Sequence, residues 1–338
     1  MLEKTVVWLS VLALSAGYGF DILLGDPRWL PHPVRGIGRA IASLESLLRL
    51  FFKRPAGERF AGVAIVFLIA GGAFITTLLA LKLTTLLHPA LGFVLAVYIY
   101  YVMIAVKDMV SHVEEIKLSL EKNDLNQARK YVGFIVSRDT DKLSQDEISR
   151  AALESLFENT ADGVVAPLFY AALGGPALLV LYKSINTLDS MLGYKSPRYL
   201  YLGWAAARCD DLLSFIPARL SALAYLAVGS LQGRRWKEIW PLLCRDGRKH
   251  ESPNSAWPEA AAAGVLGVRL GGLDFHDGMA VERPLLNEEG RAPRQDDLKP
   301  AISLFYQVCF LTFCGMILLA LGVRFTVTYF CPGAGVFW

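Results

Sequence analysis

Long apolar runs separated by charged stretches dominate this chain. Four of them are long enough, and nearly free of charge, to predict membrane-spanning helices: 5–24, 61–81, 90–106 and 301–323. The predicted fold class is therefore all-α, a polytopic integral membrane protein with helical cytoplasmic loops forming the site. We expect residues 1–323 to form a single membrane-embedded helical domain and 324–338 to form a tail.

Two further apolar runs, 163–185 and 212–231, are interrupted. The sequence Gly174-Gly-Pro divides the first, and Pro217 and Arg219 lie inside the second. Broken or charged helices at membrane depth are tolerated where protein or water surrounds them. These runs therefore predict cavity walls or re-entrant helices. The polar, proline-containing stretch 282–300 predicts a surface loop.

Composition supports a membrane protein and narrows the possible partners. The chain has 338 residues, 54% of them hydrophobic, and a formal net charge of +3, which is too small to indicate nucleic acid binding. Its five cysteines form no CxxC pair, so neither a disulfide framework nor a zinc site is indicated. The first apolar run is long for a signal peptide and lacks a small-residue cleavage site, so we expect a retained membrane helix.

Basic residues predict the orientation in the cell membrane. The stretch 25–60 carries seven of them: Arg28, Arg35, Arg39, Arg49, Lys53, Arg54 and Arg59. The positive-inside rule places this stretch in the cytoplasm. If neither interrupted run spans, the polar motifs from 183 to 300 lie there too and the active site faces the cytoplasm. If both span, 183–211 lies on the opposite face.

An acidic stripe is the first candidate for chemistry. On a helix, Arg150, Glu154, Glu158 and Asp162 follow one another at a spacing of four, so three carboxylates share one face. Mg²⁺ bound through one or two carboxylates and substrate phosphates is a natural partner for such a stripe. The alternative is a solvated acidic face, which the apolar residues that follow disfavour.

A basic motif is the second candidate. Arg245, Arg248, Lys249 and His250 precede a Ser-Pro-Asn-Ser turn, and Pro258 then suits the first turn of an alanine-rich helix. Free N–H groups at a helix start, with cations beside them, form an anion site. The alternative is a basic loop that contacts lipid headgroups.

Other polar pairs share predicted helix faces. Arg35 and Arg39 are four apart, and an anion would relieve their mutual repulsion, although a juxtamembrane basic anchor explains them equally well. Asn186 and Asp189 share a face, as do Arg208 and Asp211. No P-loop, GxGxxG, HExxH or GxSxG motif is present.

Taken together, these segments resemble the CobD/CbiB family of cobalamin biosynthesis proteins, the membrane-bound adenosylcobinamide-phosphate synthases. The similar stretches occur in the family's order: 24–27, 31–38, 136–140, 154–170, 186–191, 203–213, 216–220 and 245–260. The last of them includes His250-Glu-Ser-Pro-Asn-Ser-Ala-Trp-Pro-Glu-Ala. Phe157, Ser214 and Ala256 depart from the residues that the family usually has, and none of these departures removes a charged position.

The resemblance implies an ATP-dependent amide ligation between adenosylcobyric acid and (R)-1-amino-2-propanol or its O-phosphate. The substrates, the lipid bilayer and other late corrinoid-pathway enzymes are the implied partners, and ATP and Mg²⁺ are the implied cofactors. The hypothesised metal ligands are Glu154, Glu158, Asp162 and Asp189. The hypothesised substrate and phosphate ligands are Arg35, Arg39, Arg138, Asn186, Arg208, Arg245, Arg248, Lys249, Ser252 and Asn254. The hypothesised catalytic residues are Glu158, Asp211 and His250, with Asp211 or His250 accepting the proton of the amine.

Two other classes stay open from the sequence. A non-enzymatic membrane sensor of the related AmpE type would share much of the topology but has less need of the basic motif. A transporter of an anionic solute would explain Arg219 and the interrupted run 163–185, but it predicts inverted repeats, which the sequence lacks.

Two native cysteines test the predicted orientation. Because Cys209 and Cys244 lie in polar motifs assigned to the cytoplasm, a membrane-impermeant thiol reagent should label both in inside-out vesicles and neither in intact cells. Mass spectrometry of the labelled peptides is the measurement. Labelling of the two thiols from opposite faces would contradict the arrangement.

Overall fold

The fold is described from a computed structural model, which covers residues 2–27, 29–276 and 278–330, apart from the side chains of 2–7 and 328. Fourteen α-helices are found in this part of the chain: α1 (Leu2–Leu24), α2 (Pro33–Phe51), α3 (Pro55–Val66), α4 (Gly72–Leu87), α5 (Pro89–Met103), α6 (Val106–Glu121), α7 (Leu125–Val132), α8 (Gln145–Asn159), α9 (Ala166–Leu192), α10 (Trp204–Leu213), α11 (Phe215–Leu231), α12 (Trp236–Asp246), α13 (Ala256–Leu266) and α14 (Leu298–Phe330). The protein is thus an all-α polytopic membrane protein, as predicted.

Four helical stretches are long and apolar enough to cross a membrane: Pro55–Leu87, Pro89–Glu121, Gln145–Leu192 and Gln295–Val327. They contain three of the four predicted spans, 61–81, 90–106 and 301–323. They also contain the run 163–185, which was predicted to line a cavity or to be re-entrant and which lies in a helical stretch long and apolar enough to span. The run 5–24 lies in α1, whose described apolar part, Trp8–Leu24, is shorter. A fifth span results if α10 and α11 count as one broken helix.

The two interrupted runs are broken, although one break is not where the sequence placed it. In α9, Gly174 and Gly175 have non-helical backbone angles, and Gly175 has a φ of 70°, which a residue with a Cβ rarely adopts. In 212–231 the interruption falls at Ser214, between α10 and α11. Pro217 lies in the first turn of α11, where its missing N–H costs nothing.

The described residues divide into two compact units. The first comprises those up to Ala105, Ala166–Leu213 and those from Cys314 onward. In it α1 packs on α5, α4 and α5 pack on α9, and α3 packs on α10. Ile41, Ile65, Leu188 and Leu202 are among its fully buried core residues.

The second unit comprises Val106–Val165 and Ser214–Phe313. Its central helix is α8, which packs against α6, α7 and α13, while α13 packs against α11 and α12. This unit also contains three elements that the sequence did not predict: a π-helical segment and two strands.

The strands β1 (Leu270–His276) and β2 (Met279–Leu286) form an antiparallel hairpin that the sequence analysis did not predict. The prediction of a loop over 282–300 is therefore wrong for 282–286, which lie in β2, and also for 298–300, which begin α14. A bulge between Leu270 and Gly272, both of whose glycines have positive φ, hides the alternation typical of a strand.

Two boundaries also differ from the expected ones. Residues Thr160–Val165 are π-helical, so the regular spacing of four in the acidic stripe ends before Asp162. The predicted tail 324–338 begins inside α14, which continues to Phe330, and its residues 331–338 lie outside the described part of the chain.

Candidate functional site

Helix α8 carries the acidic stripe into the interior of the second unit. A capping box starts the helix: the Ser144 hydroxyl accepts a hydrogen bond from the Glu147 N–H, and the Glu147 carboxylate accepts one from the Ser144 N–H. Arg150 and Glu154, the first two residues of the stripe, follow on the same helix and are four residues apart. Glu154 is only 1% exposed, so its charge must be balanced by neighbouring groups.

The Glu154 carboxylate is surrounded by donors. Its Oε1 atom accepts the Gly271 N–H at 2.8 Å. Its Oε2 atom accepts hydrogen bonds from Arg138 at 2.5 Å and from Arg283 at 3.3 Å. Arg150 lies 4.0 Å away on the same helix. This carboxylate therefore binds α8 to both strands of the hairpin and to the loop before α8.

Asp274 extends the same network from β1. Its Oδ1 atom accepts hydrogen bonds from Arg138 and from Arg150, each at 2.7 Å. Arg150 also donates to the backbone carbonyls of Gly271 and Leu273. We call Arg138, Arg150, Glu154, Asp274 and Arg283 the buried charge cluster. It alternates three guanidinium groups with two carboxylates, which is how charges of this kind are kept in an apolar interior.

Backbone contacts hold the tip of the hairpin. The Asp139 N–H donates to the Phe275 carbonyl at 2.8 Å, and the Gly278 N–H donates to the Asp139 carboxylate at 2.8 Å. The hairpin is therefore attached to α8 at its base, through Glu154 and Arg150, and to the loop before α8 near its tip, through Asp139.

A cavity of 240 Å³ lies between the hairpin and α8. We call it the hairpin pocket. Its lining consists of Ile135, Val136, Ser137, Arg138, Glu154, Ser155, Glu158, His276 and Arg283. The two guanidinium groups on its wall suit an anionic ligand, and Glu158 provides a carboxylate on the same wall.

Glu158 is the carboxylate of the stripe that is available to a ligand. It is half-buried, and it forms no hydrogen bond or ion pair with any side chain that the structure describes. Glu154, by contrast, already has both oxygens occupied. Among the described residues, no three acidic, histidine or cysteine side chains lie close enough together to hold a metal ion. Because Mg²⁺ can be bound through a single carboxylate together with phosphate oxygens and water, Glu158 alone could serve as the protein ligand, and the assignment of Mg²⁺ stays a prediction.

His250 contacts the cluster through Arg283. The Arg283 Nη2 atom lies 2.9 Å from His250 Nε2. A guanidinium has no acceptor, so Nε2 must accept, and the imidazole is neutral with its proton on Nδ1. Burial, followed by the charge of Arg283, lowers the pKa of His250 below its ordinary value, in agreement with a neutral ring. His250 can take up a proton at Nε2 only after it loses this contact.

Glu259 lies on the other side of Arg283. Its carboxyl is 1% exposed, and the Oε1 atom lies 3.7 Å from Arg283 Nη2 without a hydrogen bond. Burial raises the pKa of Glu259 well above its ordinary value, although Arg283 opposes this shift. The buried surroundings of Glu259 therefore favour its protonated, neutral form more than water does.

The basic motif is organised by a buried acid that the sequence analysis did not single out. Asp246 accepts two hydrogen bonds from Arg245, at 2.8 and 3.0 Å, and pairs with Lys249 at 2.7 Å. Arg248 is exposed. Helix α13 begins at Ala256 with Pro258 in its first turn, near the start that the sequence predicted.

The turn before α13 is fixed by Arg219. Its guanidinium donates to the Asn254 side chain at 2.8 Å and to the Pro253 carbonyl at 3.0 Å, and it stacks on the Trp257 ring. The Ser252 hydroxyl accepts the Asn254 N–H at 3.3 Å. Ser252 and Asn254 thus shape the turn, and their assignment as substrate ligands stays a prediction.

The first unit contains its own polar group. Lys183 donates to Asn186 at 3.2 Å, and Asn186 donates to Asp210 at 3.3 Å. His32 caps α2 by accepting the Val34 N–H on Nδ1, and its Nε2 lies 3.8 Å from Asp26. The contacts of Asn186 thus link α9 to α10, whereas Asp26 and His32 lie in the loop before α2, where Asp26 is exposed.

The remaining predicted site residues also divide between the units. In the first, Arg35 and Arg39 are exposed on α2, and Arg208 pairs with Asp211 at 3.7 Å. Asp189 lies on α9 in the first unit, whereas the other three hypothesised metal ligands lie in the second. Their roles stay predictions.

Sequence reasoning missed four charged residues around the site: Asp246, Glu259, Asp274 and Arg283. Glu259 follows Pro258 in the first turn of an alanine-rich helix, and a charged residue in so apolar a stretch was an available signal. Asp274 and Arg283 belong to the unpredicted hairpin. Spacing along a helix gives no information about partners on a strand that follows more than a hundred residues later.

Comparison with known proteins identifies the class of protein that carries this site. The family model described as CobD/Cbib protein matches residues 14–305. A cobalamin biosynthesis protein CobD of Geobacter metallireducens is 43% identical over 288 residues, covering 85% of this chain and 88% of the relative. A CobD of Leptospira interrogans is 40% identical over 305 residues, covering 90% and 96%. A cobalamin biosynthesis protein CbiB of Salmonella typhimurium is 36% identical over 302 residues, covering 88% and 93%.

The chain is thus a polytopic membrane protein that belongs to the CobD/CbiB family. No solved structure matches it.

Removal of the Asp246 charge should destabilise the second unit. Burial alone would raise the pKa of Asp246, but hydrogen bonds from Arg245, Lys249 and the Asn287 N–H outweigh it and hold the pKa below its ordinary value. We expect Asp246→Asn to lower the free energy of unfolding by about 2 kcal/mol at pH 7, because Arg245, Lys249 and the buried Asn287 N–H lose a charged acceptor.

The pH dependence of this effect has a definite sign. With the folded-state pKa depressed, the stabilisation is present above about pH 4, the ordinary pKa of an aspartate, and is lost as the pH falls through the folded value. The gap between wild type and Asp246→Asn, measured by thermal unfolding in detergent, should therefore close in acid. Glu289→Gln is the control, since Glu289 is 90% exposed and only 4.0 Å from Arg245. Equal losses in both variants would contradict the assignment.

Proposed function

We propose that this protein acts in cobalamin biosynthesis as an ATP-dependent acid–amine ligase. Its substrates are adenosylcobyric acid and (R)-1-amino-2-propanol or its O-phosphate, and its product is adenosylcobinamide or adenosylcobinamide phosphate. Membership of the CobD/CbiB family, whose relatives are named as cobalamin biosynthesis proteins, supports the pathway. The hairpin pocket, whose lining includes the guanidinium groups of Arg138 and Arg283 and the carboxylate of Glu158, supports the chemistry.

The chemistry requires the features that line the hairpin pocket. A carboxylate is a poor electrophile, so an oxygen of the acid first attacks the γ-phosphorus of ATP, and ADP leaves. The amine then attacks the acyl carbon, the C–O bond breaks, and inorganic phosphate and a proton leave. Arg138 and Arg283 would neutralise charge on the transferring phosphoryl group. Mg²⁺ held through Glu158 would supply electrostatic stabilisation to the same phosphates.

The sequence led to the hypothesis that Asp211 or His250 accepts the proton of the amine. Because the Nε2 lone pair of His250 is occupied by Arg283, that residue needs a rearrangement before it can serve as a base. The location that we propose for the enzyme is the cell membrane, with the site facing the cytoplasm. The cysteine-labelling experiment above tests that location.

Purified protein provides the test of function. ATP hydrolysis should depend on the presence of both the corrinoid acid and the aminopropanol substrate, and mass spectrometry should detect the amide. Solute flux into vesicles without ATP-dependent amide formation would instead favour a transporter.

Glu158→Gln tests the proposed role of this side chain in catalysis. The substitution keeps the size of the side chain and removes the charge, so ligation should fall by at least about 100-fold while the protein stays membrane-inserted and folded. Glu282→Gln is the matched control, because Glu282 is an exposed carboxylate on the nearby strand β2, and it should retain wild-type turnover. Wild-type turnover in Glu158→Gln would remove Glu158 from the mechanism.

A further inference from the structure

Of the three guanidinium groups in the buried charge cluster, Arg283 lies farthest from its nearest carboxylate oxygen, at 3.3 Å. It makes two hydrogen bonds, from Nη1 to Glu154 at 3.3 Å and from Nη2 to His250 at 2.9 Å. A guanidinium has five N–H donors, so most of those on Arg283 are unused among the described residues. Arg138, in contrast, makes two shorter contacts to two different carboxylates.

Arg283 is also the more accessible of the two guanidinium groups that line the hairpin pocket. Its side chain is 19% exposed, against 6% for Arg138. Arg150 belongs to the same cluster but does not line this pocket. A ligand that enters the hairpin pocket therefore meets the donors of Arg283 first.

Burial opposes the charge of Arg283, and the nearby carboxylates, first Glu259 and then Glu154, hold its pKa above the ordinary value, but neither forms a close bidentate pair with it. The Glu154 oxygen that it contacts is shared with Arg138, which lies closer. His250 is a neutral acceptor, and Glu259 is 3.7 Å away and makes no hydrogen bond through its nearer oxygen. A largely buried cation of this kind gains free energy when an oxyanion provides a bidentate partner.

We propose that Arg283 is the oxyanion-binding residue of the hairpin pocket and that His250 positions it by accepting a hydrogen bond at Nε2. The identity of the oxyanion rests on the proposed function. The phosphoryl groups of ATP, the phosphate of the amine and the carboxylate of the corrinoid acid share the required chemistry. His250 is then a positioning residue, since one lone pair does not hold Arg283 and accept a proton at the same time.

Kinetics of Arg283 variants distinguish the three sources of the oxyanion. Arg283→Met should raise KM at least tenfold for the substrate whose oxyanion it binds, and Arg283→Lys should raise it less, because an ammonium keeps the charge but loses the bidentate geometry. Arg269→Met removes one exposed cation next to the hairpin and should leave every KM unchanged. If Arg283→Met fails to fold, the lysine variant decides. Wild-type KM values for all three substrates in Arg283→Lys would overturn the proposal.

Two variants of His250 separate positioning from proton transfer. His250→Gln places an amide oxygen close to the position of Nε2 and should keep KM within about threefold of wild type, whereas His250→Leu should raise KM as Arg283→Lys does. If His250 accepts the proton of the amine, both variants should instead lose kcat equally and with unchanged KM. That second pattern would overturn the positioning role.

Binding without turnover separates this inference from the proposed function. ATP, aminopropanol phosphate and the corrinoid acid are each titrated into wild type, Arg283→Met and Arg269→Met by calorimetry. Loss of binding of one probe in Arg283→Met alone supports the inference even if no ligation is detected. Ligation by wild type together with unchanged binding of every probe to Arg283→Met would reject the inference and leave the proposed function intact.

Discussion

The pairing of Glu154 with Arg138 and Arg283 is the interaction on which the candidate site depends. Glu154 lies on a helix with apolar neighbours and is almost fully buried, so its charge is tolerated only because donors surround it. Those donors come from the loop before α8 and from both strands of the hairpin. Since a buried carboxylate without its partners is costly, this one side chain holds three chain segments together. The hairpin pocket is the space that remains between them.

The contacts around this pairing show which charged side chains have a structural role and which are available to a ligand. Glu154 and Asp274 are occupied by arginines within the second unit, as Asp246 is by Arg245 and Lys249. Glu158 and Arg283 remain, the former without a partner among the described residues and the latter with unused donors. The contacts in the structure therefore distinguish the two groups of charged residues, which the sequence alone does not. The polar group of the first unit, around Asn186, has its own internal contacts, and its part in a shared pocket stays a prediction.

The sequence predicted the parts of this arrangement that depend on local rules. The apolar runs lie in long helices, and the Gly174-Gly-Pro sequence breaks α9 where glycine and proline indicate. The helical spacing of Arg150, Glu154 and Glu158 is present on α8. The hairpin was not predicted, because its positive-φ glycines and bulge obscure the strand pattern. Arg283 was consequently assigned to a surface loop, and only the fold brings it next to Glu154.

The most direct test of the account is the hydrogen exchange of the hairpin when the Glu154 charge is removed. In Glu154→Gln, the amides of β1 and β2 should exchange at least tenfold faster than in wild type, while helices of the first unit stay unchanged, because the hairpin loses its charged attachment to α8. The exposed substitution Glu282→Gln should leave the exchange of the same amides as in wild type. Equal protection of the hairpin in Glu154→Gln and wild type would contradict the central role given to this carboxylate.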